Sequence, residues 1–185
     1  MIVFLGLHGV LYENKITDLF GVKGYWRFTR FENVMRDFPD VDIVMIMDKR
    51  EHLTLQQFRT WFTVDIASRI IGCTAITPDI GKNLFAQREC EILDWLKTHE
   101  RASEQWVAVD NAIWHFTPPR NYLIACKGDV GFVAGVATEL RQRLTINTVS
   151  NIDKINISKM VRKKQRIQSM NTILMRGRIK DWLPF

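Results

Sequence analysis

The sequence predicts an α/β fold, a parallel sheet covered on both faces by helices, followed by a basic helical extension. Three observations carry this. Short and uniformly apolar runs recur along the chain, and such runs read as strands buried on both faces, because a half-exposed strand alternates. Between them lie segments whose apolar residues fall three and four apart, the spacing of a helix face. The charge is also unevenly placed: residues 1–149 carry 17 Lys+Arg against 18 Asp+Glu, and residues 150–185 carry 9 against 2, so a nearly neutral body precedes a tail of +7.

The elements follow in order. Ile2 to Leu7 is the first strand, ending at His8-Gly9. Thr29 to Phe38 is a helix, with Phe31, Val34, Met35 and Phe38 on one face and Pro39 as its stop. Val41 to Met47 is the second strand, running into the polar cluster Asp48 to His52. Thr54 to Phe62 is a helix with Thr54 as its cap, and Arg69 to Thr74 is a short strand. Gln87 to Thr98 is a helix with Ile92, Trp95 and Leu96 on its apolar side; Trp106 to Val109 and Asn121 to Cys126 are strands, and Gly135 to Leu144 is the last helix of the body. Trp61, Trp95 and Trp106 occupy apolar positions and are expected in the core.

Composition narrows the function classes. At 185 residues with 46% hydrophobic content, the chain is long enough for one domain with its own core. Cys73, Cys90 and Cys126 are isolated and odd in number, so neither a disulfide framework nor a zinc site is indicated, and a reducing cytoplasm is the expected location. No apolar run approaches the length of a membrane span, and no basic leader precedes the first strand, so neither secretion nor a membrane partner is expected.

Open parallel sheets bind ligands beyond the carboxyl ends of their strands, which directs attention to Gly6–Leu11, Met47–His52 and Asp110–Trp114. The segment Phe4-Leu5-Gly6-Leu7-His8-Gly9-Val10-Leu11 resembles the first motif of the haloacid dehalogenase-like (HAD) hydrolases, an apolar strand followed by Asp-x-Asp-Gly-(Thr/Val)-Leu. With Phe28 to Arg50, Arg88 to Leu96 and Trp106 to Asn111, it follows the order and spacing of HAD domains associated with bacterial RNA-repair proteins, over residues 2 to 144. The resemblance implies a three-layer, Rossmann-like HAD-type body without a large cap domain.

It also implies a chemistry that this sequence lacks the groups to perform. In the family the first aspartate attacks phosphorus, the second acts as general acid/base, and both stand beside Mg²⁺. Gly6 and His8 occupy those positions here. The hydroxyl residue of the second motif is replaced at Met47-Asp48; Lys82 and Arg88 are both candidates for the basic residue of the third; and the acidic pair of the fourth is Asp110-Asn111. The expectation is a degenerate member with no catalytic residues, no metal and no cofactor. The alternative is a phosphohydrolase with a rearranged site around His8, Asp48 and Asp110, and only that reading would require Mg²⁺. For Asp110 by itself, capping the following turn is the simpler role.

The tail divides into a polar linker over residues 145–157 and an extension over 158–185. Ser158 to Met175 has helical spacing, with Lys159, Arg162, Lys163, Lys164 and Arg166 crowding its first half, where positive charge opposes the helix dipole and makes a partner or packing necessary. Arg176, Arg178 and Lys180 follow, and Asp181-Trp182-Leu183-Pro184-Phe185 resembles the acidic-Pro-Phe tip of bacterial single-stranded-DNA-binding proteins. The expected function is a catalytically inactive HAD-like protein that binds nucleic acid, or a nucleic-acid-associated protein, through this tail. A further alternative is an adaptor or inhibitor in which the C-terminal helix forms a homo-oligomer interface.

Overall fold

Alternation within each strand sorts the chain into layers. The computed structural model describes residues 1–11, 25–46, 53–75 and 86–146. In chain order the elements are β1 (Ile2–Gly6), α1 (Tyr25–Arg36), β2 (Asp42–Ile46), α2 (Leu55–Arg59), α3 (Val64–Ala67), β3 (Ile70–Cys73), α4 (Gln87–Thr98), β4 (Trp106–Asp110), a 3-10 turn (Ile113–His115), β5 (Leu123–Ala125) and α5 (residues 134–146). The five strands form one sheet in the order β3-β2-β1-β4-β5, every pair parallel. Residues 1–144 constitute one compact unit and 145–185 a second. The expected α/β architecture, a parallel sheet between helical layers, is the one observed.

Strand β1 is central, with Ile2 to Leu5 aligned to Asp42–Met45 on one side and to Trp106–Val109 on the other. Its odd residues Val3 and Leu5 join Ile43, Met45, Val107 and Val109 in a core covered by α1, α2, α3 and α5; its even residues Ile2 and Phe4 join Val44, Ile46, Trp106 and Ala108 beneath α4. Phe4 meets Trp95 and Trp106 edge-on at 5.7 and 5.8 Å, the geometry aromatic quadrupoles favour. Trp95 and Trp106 are core residues as expected, while Trp61 is only partly buried, packed against the α1 side.

Among the boundaries that differ from the sequence expectation, those of the first helices have identifiable causes. Helix α1 begins four residues earlier than Thr29, whose hydroxyl donates back to the Tyr25 carbonyl at 3.1 Å as a helix-interior residue does. It ends at Arg36 because Asp37 and Phe38 bond three residues back, to Val34 and Met35, ahead of Pro39. The helix from Thr54 has its capping box with Gln57 but stops at Arg59, and a second short helix, α3, starts after Thr63. The buried carboxylate of Glu32, on α1, accepts from the Thr63 amide at 2.7 Å and breaks the helix there. Arg36 completes the joint, donating to Asp65 at 2.6 Å and to the Thr63 hydroxyl at 2.8 Å.

Arg69 ties the turn between α1 and β2 to the start of β3. Its guanidinium donates to the carbonyls of Met35 (2.6 Å), Phe38 (2.6 Å) and Val41 (2.5 and 3.0 Å), in the turn that follows α1. Replacing Arg69 by Ala is expected to lower the unfolding free energy by about 2–3 kcal/mol, in line with bonds to a charged donor. Urea unfolding should show a lower midpoint at unchanged slope; a loss below about 0.5 kcal/mol, the level of an ordinary surface change, would show that water replaces the clamp.

Candidate functional site

The strand order reverses direction at β1 and β4: the chain proceeds outward from β1 to β2 and β3, then crosses by α4 to β4 on the other side. The crevice beyond the carboxyl ends of those two strands is the usual ligand position of such sheets. Gly6 and Asp110 are the terminal residues of the two strands. Past Gly6, Leu7 folds the chain over by accepting from the amides of Val10 and Leu11, with Gly9 in the left-handed region at φ 67°. Leu7, Val10 and Leu11 are buried by this turn and His8 is half-buried.

Asp110 is fully buried, and the cation beside it is Arg88, the second residue of α4 and itself only 6% exposed. Arg88 Nη1 lies 2.5 Å from Oδ1 and 2.6 Å from Oδ2 of Asp110. Oδ1 also accepts from the Ala112 amide at 2.7 Å, so the carboxylate caps the turn that leads into the 3-10 helix. Both oxygens are thereby engaged within the protein. A buried carboxylate requires this degree of pairing, since leaving it charged and unpartnered in low dielectric is costly.

The same carboxylate closes the space beside Gly6. A Cβ added at Gly6 would lie 2.6 Å from Asp110 Oδ2 and 3.1 Å from its Cγ, closer than real Cβ contacts come. An aspartate at position 6 would therefore meet Asp110 sterically before its own charge is considered. Asn111 fills the neighbouring space: a Cβ at Gly9 would stand 2.7 Å from Asn111 Cγ, and one at Gly128 would stand 3.1 Å from its Nδ2. The edge of the crevice is packed by Asp110, Arg88 and Asn111.

A divalent ion of the kind the first motif implies does not fit these residues. Gly6 offers no carboxylate, Asp110 is held by Arg88 and the Ala112 amide, and among the described residues no group of three or more His, Cys, Asp or Glu could hold a metal. Nor does a thiol supply a nucleophile. Cys126, whose amide donates to the Asp110 carbonyl at 2.8 Å, has its thiol pKa pushed up to about 12, chiefly by burial and further by the Asp110 charge, so it stays protonated at neutral pH.

Of the residues proposed from sequence, Gly6, His8, Arg88, Asp110 and Asn111 are brought to this edge of the sheet. Met47, Asp48 and Lys82 lie outside the described residues, as do Lys159, Arg162, Lys163, Lys164, Arg166, Arg176, Arg178, Lys180, Trp182 and Phe185. Of the two candidates for the basic third-motif residue, Arg88 is the one seen against Asp110. Sequence reasoning misses the approach of Asp110 to the space over Gly6; a glycine closing a buried strand, together with a later strand ending in aspartate, is its only trace in the sequence.

Asp110→Ala leaves the Arg88 charge buried without its counterion and is expected to cost about 3–5 kcal/mol in urea unfolding. The Arg88→Met/Asp110→Ala double variant should cost less than Asp110→Ala alone, because no orphaned charge remains. If the double variant is instead the less stable of the two, the pair does not act as a unit.

No helix among the described residues is long and apolar enough to cross a membrane. No curated protein and no solved structure matches the chain. Over residues 2–137 it matches the family described as the HAD domain in Swiss Army Knife RNA repair proteins. The match begins with β1, includes the Gly6, Arg88 and Asp110 positions, and ends within α5. With the expected parallel α/β sheet and most of its length matched, the chain belongs to this family of HAD domains.

Proposed function

We propose that this HAD domain is catalytically inactive and works by binding, with nucleic acid or a nucleic-acid-associated protein as its partner. The observation that carries the first half is the closed site: Gly6 provides no nucleophile, and its neighbouring space is occupied by an Asp110 carboxylate already neutralised by Arg88. A phosphoryl group needs both an attacking oxygen and room beside positive charge. Here the positive charge serves the protein's own carboxylate.

The second half is supported by two facts. The family is one of domains found in RNA repair proteins, and residues 150–185 carry nine Lys+Arg against two Asp+Glu. A cationic segment of that density attracts polyphosphates through counterion release, an affinity that falls with salt.

The full-length chain is expected to show no Mg²⁺-dependent turnover of p-nitrophenyl phosphate, and the Gly6→Asp/His8→Asp variant is expected to remain inactive while losing about 1–3 kcal/mol of stability to overpacking. Turnover by the wild type that Asp110→Ala abolishes would overturn the inactive reading in favour of the site around His8, Asp48 and Asp110. For the tail, fluorescence anisotropy with labelled single-stranded RNA should show affinity falling steeply with salt. Replacing Arg162, Lys163, Lys164 and Arg166 together by Ala should reduce the slope of log K against log salt by about 0.7 for each phosphate that is no longer neutralised. No binding even at roughly 50 mM salt, the low end of the usual range, would remove nucleic acid as the partner and leave a protein or a second copy of the chain.

A further inference from the structure

One face of α1 carries chemistry that neither the sheet nor the closed crevice uses. Tyr25, Trp26, Thr29, Arg30 and Asn33 follow one another at helical spacing and, with Arg141 from α5, line an open groove of about 550 Å³. Tyr25 is 66% and Trp26 42% exposed, although both are aromatics at the start of a helix whose later aromatics are buried or partly buried in the core. Desolvated aromatic surface stabilises the fold, so two adjacent rings left in water contribute little to it.

The rest of the lining is cationic or neutral. The Arg30 guanidinium carbon lies 4.6 Å from the Trp26 ring centroid, and its Nη1 donates to the Phe132 carbonyl at 3.3 Å; among the described residues no carboxylate pairs with it. Arg27 stands 5.2 Å from the same ring and is itself buried. Arg141 is steered by Asp37, to which its Nε donates at 2.8 Å. The Thr29 hydroxyl is committed to the Tyr25 carbonyl. No carboxylate and no aliphatic side chain lines the groove among the described residues.

Exposed rings beside an arginine held in place by backbone and ring contacts, as Arg30 is, form the combination that single-stranded nucleic acid uses: bases stack on aromatic rings and phosphates meet the guanidinium group. An apolar peptide would find no aliphatic wall, and a cation would find no carboxylate. The groove is open to solvent, which suits a polymer crossing it. We propose that the α1 groove is a stacking platform for single-stranded nucleic acid, with Tyr25 and the exposed part of Trp26 receiving bases and Arg30, which lies over the Trp26 ring, receiving phosphate. This rests on the binding function proposed above and assigns the body its own contact surface; the tail's linker follows α5, the helix that carries Arg141, directly in the chain.

The test uses the full chain and a fluorescein-labelled single-stranded RNA of about 12 nucleotides, a length such binders cover. Tyr25→Ala/Trp26→Ala and Arg30→Gln are each compared with the wild type and with the quadruple alanine tail variant, circular dichroism confirming folding in every case. Loss of stacking should raise Kd roughly 5- to 100-fold. Trp26→Phe, which keeps a ring, should stay near the wild-type value. Residual binding by the tail variant that the aromatic double substitution then removes would further support the groove. Wild-type affinity in both the aromatic and the Arg30→Gln variants, with the loss confined to the tail variant, would overturn the groove and leave the nucleic-acid function standing. Absence of RNA binding by the wild type at low salt would overturn both.

Discussion

The arrangement depends on β1 having no exposed surface. All five of its residues are buried, hydrogen-bonded partners flank it on both sides, and its alternating side chains enter both cores. A strand in that position has no tolerance for a polar side chain unless a partner is built for it. The last residue of β1 is where the family's chemistry places a carboxylate, and here it is the residue with no side chain. The absent side chain and the close approach of the carboxylate go together: Asp110 Oδ2 stands 2.6 Å from where a Cβ on residue 6 would be.

Around that point, three elements are drawn together. Helix α4 sends Arg88 across to β4, β4 presents Asp110, and the turn after β4 takes the second interaction of the carboxylate through Ala112. The ion pair connects the helix layer under α4 to the carboxyl edge of the sheet. It serves as an internal strut.

Much of the fold is legible in the sequence because its signals are local. Buried parallel strands read as apolar runs, as β1, β2 and β4 do; the bounds of α4 at Gln87 and Thr98 and the cap at Thr54 follow from nearby residues alone. What the sequence hides depends on distant partners. The break before α3 is made by Glu32, some thirty residues away in sequence, binding the Thr63 amide. The early start of α1 places two exposed aromatics ahead of its apolar stripe, where helical periodicity gives no reason to look. At the site, the absence of Asp at positions 6 and 8 is plain from the sequence, but nothing in it shows that Arg88 reaches Asp110 or that Asp110 closes the space over Gly6. Those facts depend on the crossover from α4 to β4.

The strand order also constrains how the chain assembles in time. Strand β1 is flanked by β2 and by β4, and Ile2 finds its second neighbour in Trp106, more than one hundred residues further along. Once β2 has been made, a wholly apolar strand must remain half-paired until β4 leaves the ribosome, an interval on the order of 3–13 s at usual synthesis rates. During that interval the sheet exposes an unpaired inner edge with two apolar faces, the kind of surface that associates with other chains. Assembly of this domain is thus paced by the arrival of β4, and the hazard of aggregation is greatest before its last third has been made.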